Sequence, residues 1–169
     1  MDCPTDIIFV VDESGSIGSD NYDLMKDFLS QLVSRLDIDS GSTRVGLVTF
    51  HEAVGEHFNL STYTSVALVQ NATRSLRYGG GATYTFNALE YVRTTMLTSA
   101  AGDRPKVPNV VVILTDGQSN NSTLTEVSTL YITCGLTCVL CSLLQEWYFK
   151  NTEIYAKTTR NFVVICLMH

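Results

Sequence analysis

The sequence predicts an α/β protein of the doubly wound class, with a mostly parallel six-stranded sheet and one antiparallel edge strand. Two observations predict this class. Runs dominated by apolar and β-branched residues occur at 7–11, 43–50 and 109–115, and such runs are typical of strands buried on both faces of a parallel sheet. Between them lie segments with apolar residues at three- and four-residue steps, which are long enough to be helical crossovers.

Each remaining element follows from the spacing of its apolar residues and from the turn residues that bound it. Residues 51–60 alternate loosely and carry charge, which indicates an edge strand, antiparallel to its neighbour after a tight turn at Glu52 and Ala53. The predicted helices span residues 19–36, 65–76, 86–97, 123–133 and 153–159. The predicted strands span residues 7–11, 43–50, 51–60, 109–115, 136–144 and 162–168.

Length and composition indicate one globular domain, residues 3–169, and limit the classes of partner. The chain has 169 residues, of which 45% are apolar and 17% are charged, so it is long enough to bury a core. The net charge of −6 comes without a basic patch, so we expect no nucleic-acid partner. Residues 127–145 carry no charge, but their many small and polar side chains argue against insertion into a membrane.

The cysteine pattern allows two interpretations. The five cysteines are Cys3, Cys134, Cys138, Cys141 and Cys166. The three central ones have a spacing that resembles a zinc knuckle, but nothing completes a four-ligand site, so buried free thiols are the favoured interpretation. We do not expect the first and last strands to be neighbours, so Cys3 is expected to be free or paired outside this sequence.

Three separate stretches match the acceptor pattern for N-glycosylation. The candidate acceptors are Asn59, Asn71, Asn120 and Asn121, the last two in overlapping matches. They favour a secreted protein, although the residues after Met1 do not resemble a signal peptide. We therefore expect the sequence to be a fragment of a longer secreted chain.

A carboxylate and two hydroxyls follow the first apolar strand. Asp12 ends the strand, Ser14 and Ser16 follow at alternate positions, and Gly15 allows a sharp turn between them. Ligands bind at the carboxyl ends of the strands in open α/β sheets. Oxygen-only groups in a tight loop favour Mg²⁺, with Ca²⁺ or Mn²⁺ as alternatives. The other interpretation is a solvated turn whose Asp and Ser side chains cap a helix.

The same pattern recurs where the 109–115 run ends at Asp116. Two central strands of one parallel sheet would bring Asp12 and Asp116 to the same edge, which strengthens the prediction of a metal site. A glycine-rich loop at 79–81 precedes Thr83 and a helix. Such a loop can bind phosphate, but here it does not follow a buried strand. The alternative is that its glycines allow close approach to the Asp12 loop and place the Thr83 hydroxyl there.

Taken together, these motifs resemble a von Willebrand factor A domain, closely over residues 3–122 and more weakly over 123–169. The features that carry the resemblance are Cys3 before the run at 6–12, the loop Asp12-x-Ser14-x-Ser16, the strand at 45–50, the stretch 80–85, and the strand end with Asp116 and Gly117. The resemblance implies a Rossmann-like fold with a metal-ion-dependent adhesion site. It implies direct ligation by Ser14, Ser16 and Thr83, with Asp12 and Asp116 acting largely through water.

The chain departs from the family pattern at two places. The family usually has Gly-Val-Gly after the fifth strand, where this chain has Ser142-Leu-Leu-Gln. The family also has a final amphipathic helix, and this sequence stops at His169, so we expect that helix to be missing. An uncovered sheet face would favour self-association.

The resemblance implies a secreted module of the extracellular matrix that binds a matrix protein such as a collagen, through an acidic residue of that partner. One alternative is an Mg²⁺-dependent, phosphatase-like hydrolase with Asp12 as nucleophile. Such enzymes normally carry a second carboxylate two residues later, where this chain has Ser14. A further alternative is a structural spacer without metal-dependent ligand binding.

Overall fold

A computed structural model of the chain describes residues 4–116, 119 and 120 in full and residues 163–168 as backbone. The strands are β1 (Thr5–Asp12), β2 (Thr43–Phe50), β3 (Val54–Phe58), β4 (Asn109–Thr115) and β5 (Val163–Met168). The helices are α1 (Ser19–Val33), α2 (Val66–Arg74) and α3 (Thr85–Tyr91), and α3 continues into a π-helical turn, Val92–Met96. A short 3₁₀ turn, Ser99–Ala101, precedes β4.

The five described strands form one sheet in the order β3-β2-β1-β4-β5. β1 pairs in parallel with both β2 and β4, and β3 is antiparallel to β2, as predicted. β5 is antiparallel to β4, whereas the alternation of elements predicted a parallel strand. An apolar run does not encode its direction, because that depends on the path of the connection before it. The sixth predicted strand, 136–144, lies outside the described residues, as do the helices predicted at 123–133 and 153–159.

Both faces of the sheet carry an apolar core, which confirms the doubly wound arrangement. From β1, Ile7, Phe9 and Val11 pack with the buried faces of α1 and α2. Ile8 and Val10 pack on the other face with α3 and the π-helical turn. Alternate residues of one strand thus point into two cores, so β1 is buried along its whole length.

The end of α1 differs from its predicted position in a way that local hydrogen bonding explains. α1 ends at Val33 rather than at Leu36, because the N–H groups of Arg35 and Leu36 bond to carbonyls only three residues back. Leu36 nevertheless stays buried, which is why it fits the helical pattern. In the described part of the chain no helix is long and apolar enough to cross a membrane.

The described residues test one of the cysteine predictions, the separation of the first and last strands. Cys166 lies in β5, and β4 separates that strand from β1, so the first and last strands are not neighbours, as predicted. Cys3 and the three central cysteines lie outside the described residues, and the prediction of free thiols therefore stays a prediction.

Candidate metal centre

The site begins at Asp12, the last residue of the central strand. The parallel register places Val11 beside Leu114, so Asp12 reaches the level of Thr115 at the end of β4. The Thr115 hydroxyl donates a hydrogen bond to Asp12 Oδ2 at 2.7 Å, and the Ser14 N–H donates one to Oδ1 at 2.9 Å. The Asp12 side chain is completely buried, and its two oxygens fix the start of the loop that follows.

Two serine hydroxyls face each other in this loop. Ser14 is buried and Ser16 is exposed, and their Oγ atoms lie 3.2 Å apart. Such a separation lets both oxygens contact one small ion from the same side. The Tyr78 hydroxyl donates to the Ser14 carbonyl at 3.1 Å, which holds the loop from the direction of the glycine-rich segment.

The glycine-rich segment lies directly against the Asp12 loop. The Gly15 N–H donates to the Gly81 carbonyl at 2.8 Å, and the Gly80 N–H donates to the Glu13 carbonyl at 2.8 Å. A Cβ atom on Gly15 would lie 3.2 Å from the Gly81 carbonyl oxygen, tighter than ordinary contact. These contacts favour close backbone approach over phosphate binding, because the Gly80 N–H, which a phosphate would need, already donates to the Glu13 carbonyl.

Thr83 and Asp116 approach the same region from two further segments. Thr83 is 5% exposed and lies two residues after the glycine-rich segment. Its N–H donates to Asn120 Oδ1 at 2.7 Å, and its carbonyl accepts from the Asn120 N–H at 2.8 Å. Asp116 is half-buried at the end of β4 and close enough to Asp12 for their charges to interact. The structure therefore gathers the segments that carry all five predicted site residues.

The electrostatics of the site leave negative charge uncompensated. Burial raises the pKa of Asp12, and the Asp116 carboxylate raises it further, against the hydrogen bonds from Ser14 and Thr115. Burial likewise raises the pKa of Glu13, against its hydrogen bond from Thr49. Asp12 makes no ion pair with a basic side chain in the described part of the chain.

A divalent cation fits this set of donors. The described residues contain no group of three His, Cys, Asp or Glu side chains arranged to hold a metal, so a cation here would need hydroxyl oxygens among its ligands. Hydroxyl and carboxylate oxygens are the ligands that Mg²⁺ and Ca²⁺ prefer. A cation near Asp12 and Asp116 would offset the repulsion between two buried or half-buried carboxylates.

Sequence reasoning missed two residues that support the site. Thr115 could have been found by aligning β1 with β4, because the register places its hydroxyl beside Asp12. Asn120 gave no local signal, since its partner Thr83 lies far away in the chain.

The candidate glycosylation acceptors have different surroundings. Asn71 is exposed on α2, and Asn120 is exposed beside Thr83. Asn59 is half-buried, and its Oδ1 atom is buried without a hydrogen-bond partner in the described residues. Asn121 lies outside the described part. All four stay predictions.

Comparison with known proteins identifies the family. A family model of the von Willebrand factor type A domain matches residues 6–163. Because this match covers most of the chain, the chain belongs to the von Willebrand factor type A domain family.

Curated relatives include proteins of the matrix and an integrin. The collagen alpha-4(VI) chain of Mus musculus is 34% identical over 170 residues, covering 96% of this chain and 7% of that protein. Integrin alpha-2 of Bos taurus is 38% identical over 122 residues, covering 70% of this chain and 10% of that protein. Matrilin-1 of Bos taurus is 37% identical over 122 residues, covering 70% of this chain and 22% of that protein. The chain thus spans a small part of each relative.

Solved structures show the same fold. Proximal thread matrix protein 1 from the mussel byssus has a TM-score of 0.70 and 27% identity, covering 76% of this chain and 35% of that chain. A structure of the same protein with a zinc-occupied MIDAS motif, the metal-ion-dependent adhesion site, has a TM-score of 0.70 and 26% identity, covering 76% and 35%.

Proposed function

We propose that this chain is an extracellular adhesion module that binds a matrix protein through a divalent cation. Ser14, Ser16 and Thr83 bind the ion directly through their hydroxyls, and Asp12 and Asp116 hold it largely through water. The ion is Mg²⁺, with Mn²⁺ or Ca²⁺ as alternatives. Neutral hydroxyl ligands leave the cation's charge under-neutralised, so it accepts a carboxylate from an acidic residue of the partner.

One observation carries this proposal: Asp12 is buried beside a second carboxylate and has hydrogen bonds but no basic partner in the described residues. Burying a charge without a counter-charge is unfavourable, and a bound cation would remove that penalty. The family supports the proposal, as do relatives among collagens, integrins and matrilins and a structural neighbour with a metal-occupied adhesion site. These relatives also support a secreted, matrix location and a collagen as the first partner to test.

The geometry favours adhesion over the hydrolase alternative. A nucleophilic Asp12 would have to reach the substrate itself, whereas holding a cation through water needs only one lone pair within reach of a bound water. Here the side chain is fully buried, and each oxygen accepts a hydrogen bond, from Ser14 or from Thr115. The relatives named above are matrix proteins and an integrin, which agrees with a non-enzymatic role.

The first test measures the ion. Isothermal titration of the metal-free protein should detect Mg²⁺ binding, and Mg²⁺ should raise the melting temperature by mass action. Asp116→Ala should abolish both effects, because it removes one of the two carboxylates. Asp103→Ala is the matched control, since this half-buried aspartate lies in the loop before β4 and has no role in the site. Equal Mg²⁺ responses in the wild type and in Asp116→Ala would refute the proposed ligand set.

The second test measures adhesion. Binding to immobilised collagens and other matrix proteins should vanish in EDTA, return with Mg²⁺, and weaken in Thr83→Ala but not in the exposed control Thr95→Ala. Changing the partner's acidic residue to its amide should have the same effect as EDTA. A matrix ligand that binds equally well in EDTA would instead support adhesion through another surface. If no ligand binds in any condition, the spacer alternative takes the place of this proposal.

A further inference from the structure

Thr83 follows a glycine-rich segment whose backbone is conformationally permissive. The preceding Gly80 and Gly81 have φ angles of 72° and 101°, a region that glycine enters freely. The segment is anchored before Thr83 by the Gly15–Gly81 hydrogen bond, and after it by the Tyr84 N–H, which donates to the His51 carbonyl at 3.0 Å. The Tyr84 bond holds the peptide unit that carries the Thr83 carbonyl, but neither anchor holds the preceding unit, which carries the Thr83 N–H.

Asn120 bonds to both main-chain groups of Thr83. Its Oδ1 atom accepts from the Thr83 N–H at 2.7 Å, and its own N–H donates to the Thr83 carbonyl at 2.8 Å. Two reciprocal bonds from one residue fix distance and orientation together, as a cross-strand pair does. Asn120 is exposed, so this pairing adds no apolar burial, and its effect is local geometry.

The pairing joins two segments that carry different site residues. Asn120 follows Asp116 closely in the chain, whereas Thr83 follows the glycine-rich segment. A change in the Asn120 side chain would therefore change the placement of the Thr83 hydroxyl relative to Asp116. Mutation of a residue that orients a metal ligand through hydrogen bonds typically lowers metal affinity by about 10–100-fold.

We propose that Asn120 is a positioning residue for the cation site, because it holds the Thr83 hydroxyl at the place where the ion binds. This inference rests on the proposed function. It assigns Asn120 a role in metal affinity that does not depend on its being a candidate glycosylation acceptor. An alanine at this position keeps the bond from its own N–H but loses the bond to the Thr83 N–H.

The test is a double-mutant cycle on Mg²⁺ affinity, with unglycosylated protein made in bacteria. Asn120→Ala should weaken Mg²⁺ binding about tenfold or more, with the melting temperature of the metal-free protein nearly unchanged. In a Thr83→Ala background the same change should have little further effect, because the hydroxyl that Asn120 positions is already absent. Asn120→Asp, which keeps an acceptor oxygen, should retain the affinity. Asn71→Ala, an exposed asparagine on α2, is the control.

The outcomes separate this inference from the proposed function. Absence of Mg²⁺ binding by the wild type overturns both. Normal binding by the wild type, with equal affinity in Asn120→Ala or equal losses in the two backgrounds, overturns the inference alone. If Asn120→Ala does not fold, Asn120→Asp is compared with Asn120→Gln, whose acceptor is displaced by one methylene. Equal affinities for these two variants would likewise overturn it.

Discussion

Arg104→Ala should lower the free energy of unfolding by about 3–5 kcal/mol, because it leaves a buried carboxylate without its counter-charge. Asp6 is fully buried near the start of β1, at the end of the sheet opposite the candidate metal centre. The Arg104 guanidinium lies 2.6 Å from Asp6 Oδ1 and also donates to the carbonyls of Thr5, Gly41 and Ser42. One side chain therefore ties together the start of β1 and the loop before β2.

The magnitude follows from what the alanine variant leaves behind. The Arg104 N–H still donates to Asp6 Oδ2 at 2.9 Å, but the charge and the Nε–H bond to Oδ1, at 2.8 Å, are lost. Removing one partner of a buried pair costs about 3–5 kcal/mol. In a chain of this size each kcal/mol shifts the melting temperature by about 2–4 °C, so the expected decrease is about 6–20 °C.

Urea unfolding and thermal melting of the metal-free protein measure the effect, and Mg²⁺ titration is run alongside. Arg93→Ala is the control, because its contact with Glu90 is exposed and 4.0 Å long, and its loss should cost about 0.5 kcal/mol or less. Adding Asp6→Asn to Arg104→Ala should recover part of the loss, since the buried charge is then gone. A loss below about 1 kcal/mol, or a parallel loss of Mg²⁺ affinity in the folded variant, would refute the reasoning.

Two further predictions concern groups at the candidate site. Burial raises the pKa of Asp12, so the folded protein binds that proton more tightly than the unfolded chain, and metal-free stability should fall as pH rises from acid toward the raised pKa. Asp12→Asn should reduce this fall in stability without abolishing it, because burial raises the pKa of Glu13 as well. The measurement is a series of unfolding curves across pH in EDTA. A pH dependence of Asp12→Asn equal to that of the wild type would contradict the prediction. Gly55→Ala should destabilise by about 1–3 kcal/mol, because its Cβ would collide with the side-chain oxygens of Glu13 and Thr49. Denaturant titration checks this, and a change within about 0.5 kcal/mol would show that the pocket around Glu13 relaxes easily.

Most strands of the described region could be predicted because apolar, β-branched residues dominate them, whereas β3 could be predicted only as part of the loosely alternating stretch 51–60. β2 and β4 have the predicted bounds, and β1 extends beyond residues 7–11 to include Thr5, Asp6 and Asp12. The sequence pattern stopped at these polar residues, but their ladder positions beside β2 and β4 satisfy the backbone and extend the strand. The antiparallel direction of β5 could not be predicted, since it depends on the long connection after Asp116.

Parts of the site that are close in sequence could likewise be predicted, and contacts between distant segments could not. The loop from Asp12 to Ser16 could be predicted, because its oxygen groups are close in sequence and follow a buried strand. The contribution of Asn120 could not, because its bonds to Thr83 form only when two distant segments meet. Recognition of the family bridged part of this gap by placing Thr83 and Asp116 in one site before any geometry was known.

The buried carboxylates at the two ends of β1 differ in whether the protein supplies a counter-charge. Asp6 and Asp12 lie near opposite ends of the same strand, and both are fully buried. Asp6 has the Arg104 guanidinium as a counter-charge, within the protein itself. Asp12 accepts hydrogen bonds from Ser14 and Thr115 but has no basic partner among the described residues, and a second carboxylate nearby raises its pKa further. Arginine neutralises the buried carboxylate of Asp6, whereas the carboxylate of Asp12 lies beside the loop in which the Ser14 and Ser16 hydroxyls face each other, which agrees with the proposed cation site. The proposed cation would therefore supply at Asp12 the counter-charge that Arg104 supplies at Asp6.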